Sequence, residues 1–294
     1  MNDIVLILFD EAIDLFRLQF RTFEKFLEPC TINIVLNEHN PKRLKKIIES
    51  ITVNSRHRIV YFTRYEILEN YQCGGYLSQQ LCKLLIPINS DYVVLDDKDL
   101  FIKPTSYEQL LNFYPVLYQP DNGSELVNTF NDFYYTCCKK FGKVQINEPM
   151  TPRFIKKQVV NNMLEYFKNK KKLIKWFLSH KTIPEQSIMV SEFMLYDFFN
   201  DKNDGVVGNR YSYCPKIESM IPKNFTYQSL INQIITDMAN NGYQNLDLIE
   251  YLENGGVTKI PEYVHILKIH RRDYNNPENR TIVSKFIVNK FLKK

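Results

Sequence analysis

The stretch YVVLDDKDLFIKP, residues 92–104, sets Asp96, Asp97, Lys98 and Asp99 between two apolar runs. The run Tyr92–Leu95 has the uninterrupted apolar character of a strand buried on both faces, so the four charges fall at its carboxyl end. Charged side chains are seldom buried without a partner, and a knot of them at the mouth of a core strand requires a use.

Working outward, the same grammar repeats toward the N-terminus. DIVLILF (3–9), TINIVLN (31–37) and RIVYFT (58–63) read as strands. Between the first two, Ile13, Phe16, Phe20, Phe23 and Leu27 recur at helical spacing. A helix follows Pro41, and another runs from about Gly75 to Ile86. Strands alternating with helices predict an α/β fold of Rossmann-like type, a mainly parallel sheet flanked by helices. Ligands of such sheets bind outside the carboxyl ends of the strands, where Asp96–Asp99 lie.

The second half is less regular. Residues 115–119 read as a short strand, 123–141 as a helix, 146–154 as a proline-bracketed loop, and 154–178 and 185–200 as helices. A Gly/Asn-rich turn region over 200–215, two helices within 225–253, a strand at 263–270 and a basic terminal helix complete the chain. No internal repeat or low-complexity linker divides it. The expectation is a single domain over 1–294, with a ligand-binding half (1–104) and an elaborated half (105–294) carrying C-terminal helices.

Composition narrows the function classes. A formal charge of +5 with acids spread throughout, and no basic patch interleaved with aromatics, disfavours a nucleic-acid partner. The 20 Phe and 19 Tyr disfavour disorder. Cysteines at 30, 73, 82, 137, 138 and 214 form no C-x-x-C pair, so they read as reduced thiols of a cytoplasmic protein. The six-residue run near the start lacks the positive flank of a signal peptide. No run of about 20 apolar residues is present to span a bilayer. The turn after the first strand, FDEAID, has neither the glycines of a dinucleotide fold nor a phosphate loop. A phosphate bound here needs another counter-charge, and a carboxylate-held divalent metal is one.

Asp97 and Asp99 form a D-x-D whose alternation in a strand predicts that both reach one Mn²⁺ or Mg²⁺ ion, which takes oxygen ligands and can neutralise a departing diphosphate. The stretch GGYLSQQLCKLLIPINSDYVVLDDKDLFIKP (74–104) resembles the region of GT-A fold nucleotide-sugar glycosyltransferases in which a helix leads into the D-x-D strand. It is most similar to bacterial and viral members that build surface polysaccharides, with a QQ…K helix before LDxD…F…P. MTPRF (150–154) and SEFMLY (191–196) resemble that group's acceptor-side loop and helix. The resemblance implies a GT-A-like mixed sheet and a transferase moving a sugar from a nucleotide-diphosphate donor to a glycan or lipid-linked acceptor. The alternative is a catalytically inactive glycan- or nucleotide-binding module of the same fold. In the family's register the metal aspartates fall at Asp96 and position 98, where this chain has Lys98. Either Asp97 and Asp99 hold the metal, or the lysine itself pairs with the diphosphate and makes a metal dispensable.

Tyr76, Gln79, Gln80 and Lys83 share one helix face by their i, i+3, i+4, i+7 spacing and are candidates to bind the donor with Asp96 and Lys98. Glu192 lies in SIMVSEFMLYDFF, a segment apolar nearly all round, where burial would raise its pKa as a general base requires. The resemblance places Glu192, Thr151 and Arg153 on the acceptor side. It also suggests a late histidine at the diphosphate, which His270 with Arg271 would supply. His265 and His270, five apart in a strand, point to opposite faces and cannot share an ion. KNKKKLIKWFLSHK (168–181) has six lysines, no acid and the chain's only Trp. It is a candidate for peripheral contact with the inner face of a membrane, with Trp176 and Phe177 inserting at the interface.

Overall fold

The computed structural model describes residues 2–69, 71, 73–111, 125–142, 151–180, 190–204, 266–268 and 277–293. The first four strands fall where the apolar runs place them: β1 (Asp3–Leu8), β2 (Thr31–Leu36), β3 (Arg58–Thr63) and β4 (Tyr92–Leu95). Between them lie α1 (Ile13–Phe26), α2 (Pro41–Thr52), the short α3 (Arg64–Leu68) and α4 (Gly75–Leu85). After β4 come β5 (Asp99–Phe101), α5 (Tyr107–Leu111), α6 (Glu125–Phe141), β6 (Arg153–Ile155), α7 (Lys157–Tyr166), α8 (Lys170–Ser179) and α9 (Glu192–Asp204). β7 (Ile266–Lys268) and α10 (Pro277–Ile287) are the last described elements, and a wider turn over Val288–Leu292 continues α10.

The sheet is mixed and mainly parallel, as the sequence predicts. Its order is β3-β2-β1-β4-β6, with only β6 antiparallel, Tyr92 facing Ile155 and Val94 facing Arg153. β5 and β7 form a separate antiparallel pair in which Asp99 faces Lys268. Strand alternation divides the core in two. Ile4, Leu6, Leu8, Ile32, Ile34, Val93 and Leu95 pack with the phenylalanines of α1 and with α2. Val5, Ile7, Val35, Tyr92 and Val94 face α4 and α6 to α9. Both faces are covered, so the ends and loops are left for ligands.

Three expectations are corrected. The helix expected over 154–178 is a strand and two helices, because Lys168 adopts a left-handed φ of 65° and the Asn169 side chain caps a new helix by accepting from Lys172 N–H at 2.9 Å. The loop expected over 146–154 gives way at Arg153 to β6, which adds to the exposed edge of β4. Phe177 cannot insert in a membrane: it is fully buried, while Trp176 packs among Phe133, Phe141, Phe167 and His180. The strand at 115–119, the helices within 225–253, and most of the turn region at 200–215 lie outside the described residues; there α9 extends to Asp204. No described helix is long and apolar enough to cross a membrane, and the five described cysteines are free thiols.

Candidate active site

The chain leaves β1 toward β2 and β3 on one side and returns to place β4 on the other. In open α/β sheets such a reversal is where a ligand crevice opens, here at the carboxyl ends of β1 and β4. Phe9 and Asp10 follow β1 as one lip of that reversal, and Asp96–Asp99 follow β4 as the other.

The second lip is a tight turn, not a continuing strand. Asp99 N–H donates to Asp96 O at 3.2 Å, and Asp96 N–H donates to Asp99 Oδ2 at 2.8 Å, so the two ends of the turn hold each other. Beneath it lies Gln19 of α1, fully buried, whose amide nitrogen donates to Asp96 O at 2.6 Å and Asp99 O at 3.0 Å. Thr22, one turn along, accepts from Phe101 N–H at 3.0 Å. The alternation expected to carry Asp97 and Asp99 to one side of a strand therefore does not apply, because residues 97 and 98 are the corner of the turn. Asp99 is fully buried and Asp97 nearly so, whereas Asp96 and Lys98 are partly exposed.

A charged arch joins this turn to α9. Lys83 Nζ lies 3.5 Å from Asp96 Oδ1 and 3.1 Å from Glu192 Oε1, while Lys98 Nζ lies 3.6 Å from Asp96 Oδ2. Gln80, with its amide nitrogen toward α9, donates to Glu192 Oε1 at 2.9 Å and also contacts Oε2 closely. Lys83 and Glu192 are both buried, so each needs the other: an isolated charge at that depth would be neutralised. Burial pushes the Glu192 carboxyl above its ordinary value, opposed but not overcome by Lys83. For Lys83, burial works against the charge, and Glu192 with Asp96 outweighs it to hold the ammonium above the ordinary lysine range. Tyr76 donates to Val190 O at 2.9 Å, tying α4 to the segment before α9, and burial raises its phenol first, with Glu192 and Asp96 adding to that.

The structure thus brings together Asp96, Lys98, Lys83, Gln80, Tyr76 and Glu192, which come from three separate parts of the sequence. Gln79 is half-buried on α4 beside them. Thr151 and Arg153 are buried at the start of β6; Arg153 pairs closely with Asp197 of α9 and lies over the Phe193 ring at 5.6 Å, the ring that Lys83 approaches at 5.0 Å. His265, His270 and Arg271 lie outside the described residues.

Two groups of residues had not been singled out as functional from the sequence. Gln19 is one: a single glutamine in an amphipathic helix carries no signal until its partners are placed. The other is the lip after β1. There Asp10, Asp14, Arg43, Ile47 and Arg280 line a cavity of about 370 Å³, within the range of small-ligand sites. Arg43 pairs with Asp10 at 3.4 Å, Arg280 donates to Asp14 at 2.6 Å, and Asp10 N–H donates to Glu38 Oε1 at 3.1 Å. The sequence signal for this lip is the acidic stretch FDEAID after the first strand.

Among the described residues no group of three or more His, Cys, Asp and Glu is set to hold a metal. Asp97 and Asp99 have the hard oxygen donors that Mg²⁺ or Mn²⁺ takes, and such ions commonly use one or two carboxylates with phosphate oxygens. Their donor type suits such an ion, but Asp99 Oδ2 already accepts from the Asp96 amide and the turn does not carry the two side chains to one side of a strand.

No protein-family model matches the sequence, and no curated protein matches it. Solved structures with a similar backbone course include apo mouse xyloside xylosyltransferase 1, at 7% identity over 69% of this chain and 82% of that one with a TM-score of 0.39. Galactosyltransferase LgtC, solved with donor and acceptor sugar analogs, matches at 10% identity over 67% of this chain and 70% of that one, TM-score 0.40. PaToxG glycosyltransferase matches at 11% identity over 96% of this chain and 86% of that one, TM-score 0.37.

Proposed function

We propose that the protein is a glycosyltransferase that takes a sugar from a nucleotide-diphosphate donor and passes it to a glycan or lipid-linked acceptor in surface-polysaccharide synthesis. The observation that carries the reading is the arch Lys98–Asp96–Lys83–Glu192 across the crevice at the sheet's reversal. In this reading its cations would stand beside the leaving diphosphate as that gathers charge, with the buried carboxylate opposite. The acceptor-side motifs of the sequence support the same direction of transfer.

In this reading the nucleoside sits in the cavity beside Asp10 and Arg43, and its diphosphate reaches the Asp96–Asp99 turn. Lys98, the more exposed of the two lysines, meets the diphosphate directly, while Tyr76, Gln79 and Gln80 of α4 face the sugar. A divalent ion on Asp97 and Asp99, when bound, would add Lewis-acid neutralisation of the same oxygens. In an inverting transfer, an acceptor hydroxyl displaces the Gln80 amide at Glu192 and gives its proton to that carboxylate. Its oxygen bonds to the anomeric carbon as the bond from that carbon to the diphosphate breaks. By the resemblance, Thr151 and Arg153 would serve the acceptor, and His270 and Arg271 the diphosphate.

One observation favours the second reading, a silent binding module of the same fold. Glu192 is 1% exposed and both its oxygens are met by Lys83 and Gln80, as a purely structural carboxylate would be. Incubating the protein with UDP-, GDP- and dTDP-sugars, with and without Mn²⁺, separates the two. Slow donor hydrolysis that disappears in Glu192→Gln supports the transferase. Donor binding without any turnover, with or without sugar acceptors, supports the module.

A further inference from the structure

The long basic run of the sequence forms one face of the molecule. α8 turns Leu173, Ile174 and Phe177 into the core and leaves Lys171, Lys172 and Lys175 exposed on the outside. Lys168 precedes it, exposed in the break between α7 and α8. α6 adds Lys139 and Lys140, and the Lys140 ammonium stands over Trp176 of α8 at 5.6 Å and over Phe167 at 5.9 Å. That contact sets the end of α6, with its two exposed lysines, against α8. Lys170, at the start of α8, is anchored elsewhere, 3.7 Å from Glu69 beyond α3.

Two features decide what this surface meets. The six lysines come from two helices and a turn, so the face suits a laterally extended anion and not a single phosphate group. Of the aromatic rings among them, Trp176 packs against Phe141, Phe167 and His180, while Tyr166 is half-exposed, with edge contacts to Phe141, Phe167 and Phe199. One half-exposed ring beside the α8 lysines is not the row of platforms on which successive bases stack, which single-stranded nucleic acid would need. Since Phe177 is buried, nothing on the outward face of α8 offers a deep apolar anchor either.

We propose that the face formed by Lys139, Lys140, Lys168, Lys171, Lys172 and Lys175 docks the protein on an anionic lipid bilayer, electrostatically and reversibly. The inference is independent of the transferase reading, since it uses no residue of the crevice. Each lysine near an anionic leaflet strengthens attachment about fivefold. The test is co-sedimentation of the full chain with phosphatidylcholine vesicles containing about 30% phosphatidylserine, beside vesicles of phosphatidylcholine alone. The expected result is binding to the anionic vesicles only, fading as salt rises from about 0.1 to 0.5 M. Lys171→Ala/Lys172→Ala/Lys175→Ala should weaken it roughly a hundredfold. The substituted side chains are exposed, so the variant's melting temperature should match the parent's and show that the fold is kept. Binding undiminished in that variant, binding to neutral vesicles equally well, or no vesicle binding at low salt would each overturn the proposal. So would binding of a single-stranded oligonucleotide in place of vesicles.

Discussion

Replacing Lys83 by methionine keeps much of the side chain's length and deletes its charge, which leaves Glu192 buried beside Asp96 without the ammonium between them. Breaking a buried pair in this way costs about 3–5 kcal/mol. Urea unfolding of Lys83→Met should show a loss of that order, and adding Glu192→Gln should recover more than half of it; a loss below about 1 kcal/mol would mean the pair is not formed. Both partners lose stabilisation as pH rises, Glu192 in the lower window and Lys83 in the higher. Lys83 is raised, so its stabilisation is complete below the ordinary lysine range and is lost as pH climbs through its folded value. Glu192 is raised too, so the folded chain holds that proton more tightly than the unfolded one, and its contribution weakens as pH rises from the ordinary carboxylate value through the folded one. If Glu192 is the base, turnover is lost as pH falls through that same elevated value. A pH–rate profile should place the acid limb above the ordinary glutamate range, and a limb at or below it would remove Glu192 from the role. Lys83, Gln80 and Glu192 were visible in the sequence as polar side chains on otherwise apolar helices. Their mutual contact was not, since nothing local joins residues so far apart in the chain.

At the scale of elements, the Asp96–Asp99 turn depends on α1 as much as on its own residues. Gln19→Leu fits the space but leaves the carbonyls of Asp96 and Asp99 without the amide they share. With about 1–3 kcal/mol for each buried polar group so exposed, the variant should lose roughly 2–4 kcal/mol, and nucleotide affinity should fall with it. Unchanged affinity in a folded Gln19→Leu would show that the turn does not shape the site. The first four strands were legible because each is an apolar run ended by polar or turn residues. The boundary at Lys168 was not, because a lysine in left-handed backbone leaves no mark in composition. β6 was hidden for a related reason: three residues between a proline and a lysine are too few to show alternation, and the edge of β4 supplies what their sequence does not.

At the scale of the whole molecule, the parallel order of β1 to β4 fixes where the crevice opens, and α1, α4 and α9 converge on it from both faces of the sheet. The cavity after β1 lies between the start of α1, α2 and α10. If it takes the nucleoside, Arg43→Ala should lower nucleotide affinity about tenfold while leaving the melting temperature nearly unchanged, since Arg43 is largely exposed. Equal affinity in calorimetry would move the nucleoside elsewhere. The mixed α/β architecture could be read from the alternation of strands and helices. The reversal between β1 and β4 could not, because strand order is decided by packing across the sheet and by helices too distant in sequence to predict one another. Calorimetric titration of UDP, GDP and dTDP into the parent chain and Lys98→Ala tests the central claim most directly. The account predicts that one nucleoside diphosphate binds the parent and binds the variant at least about tenfold more weakly. Binding of none of the three, or the same affinity in both chains, would contradict it.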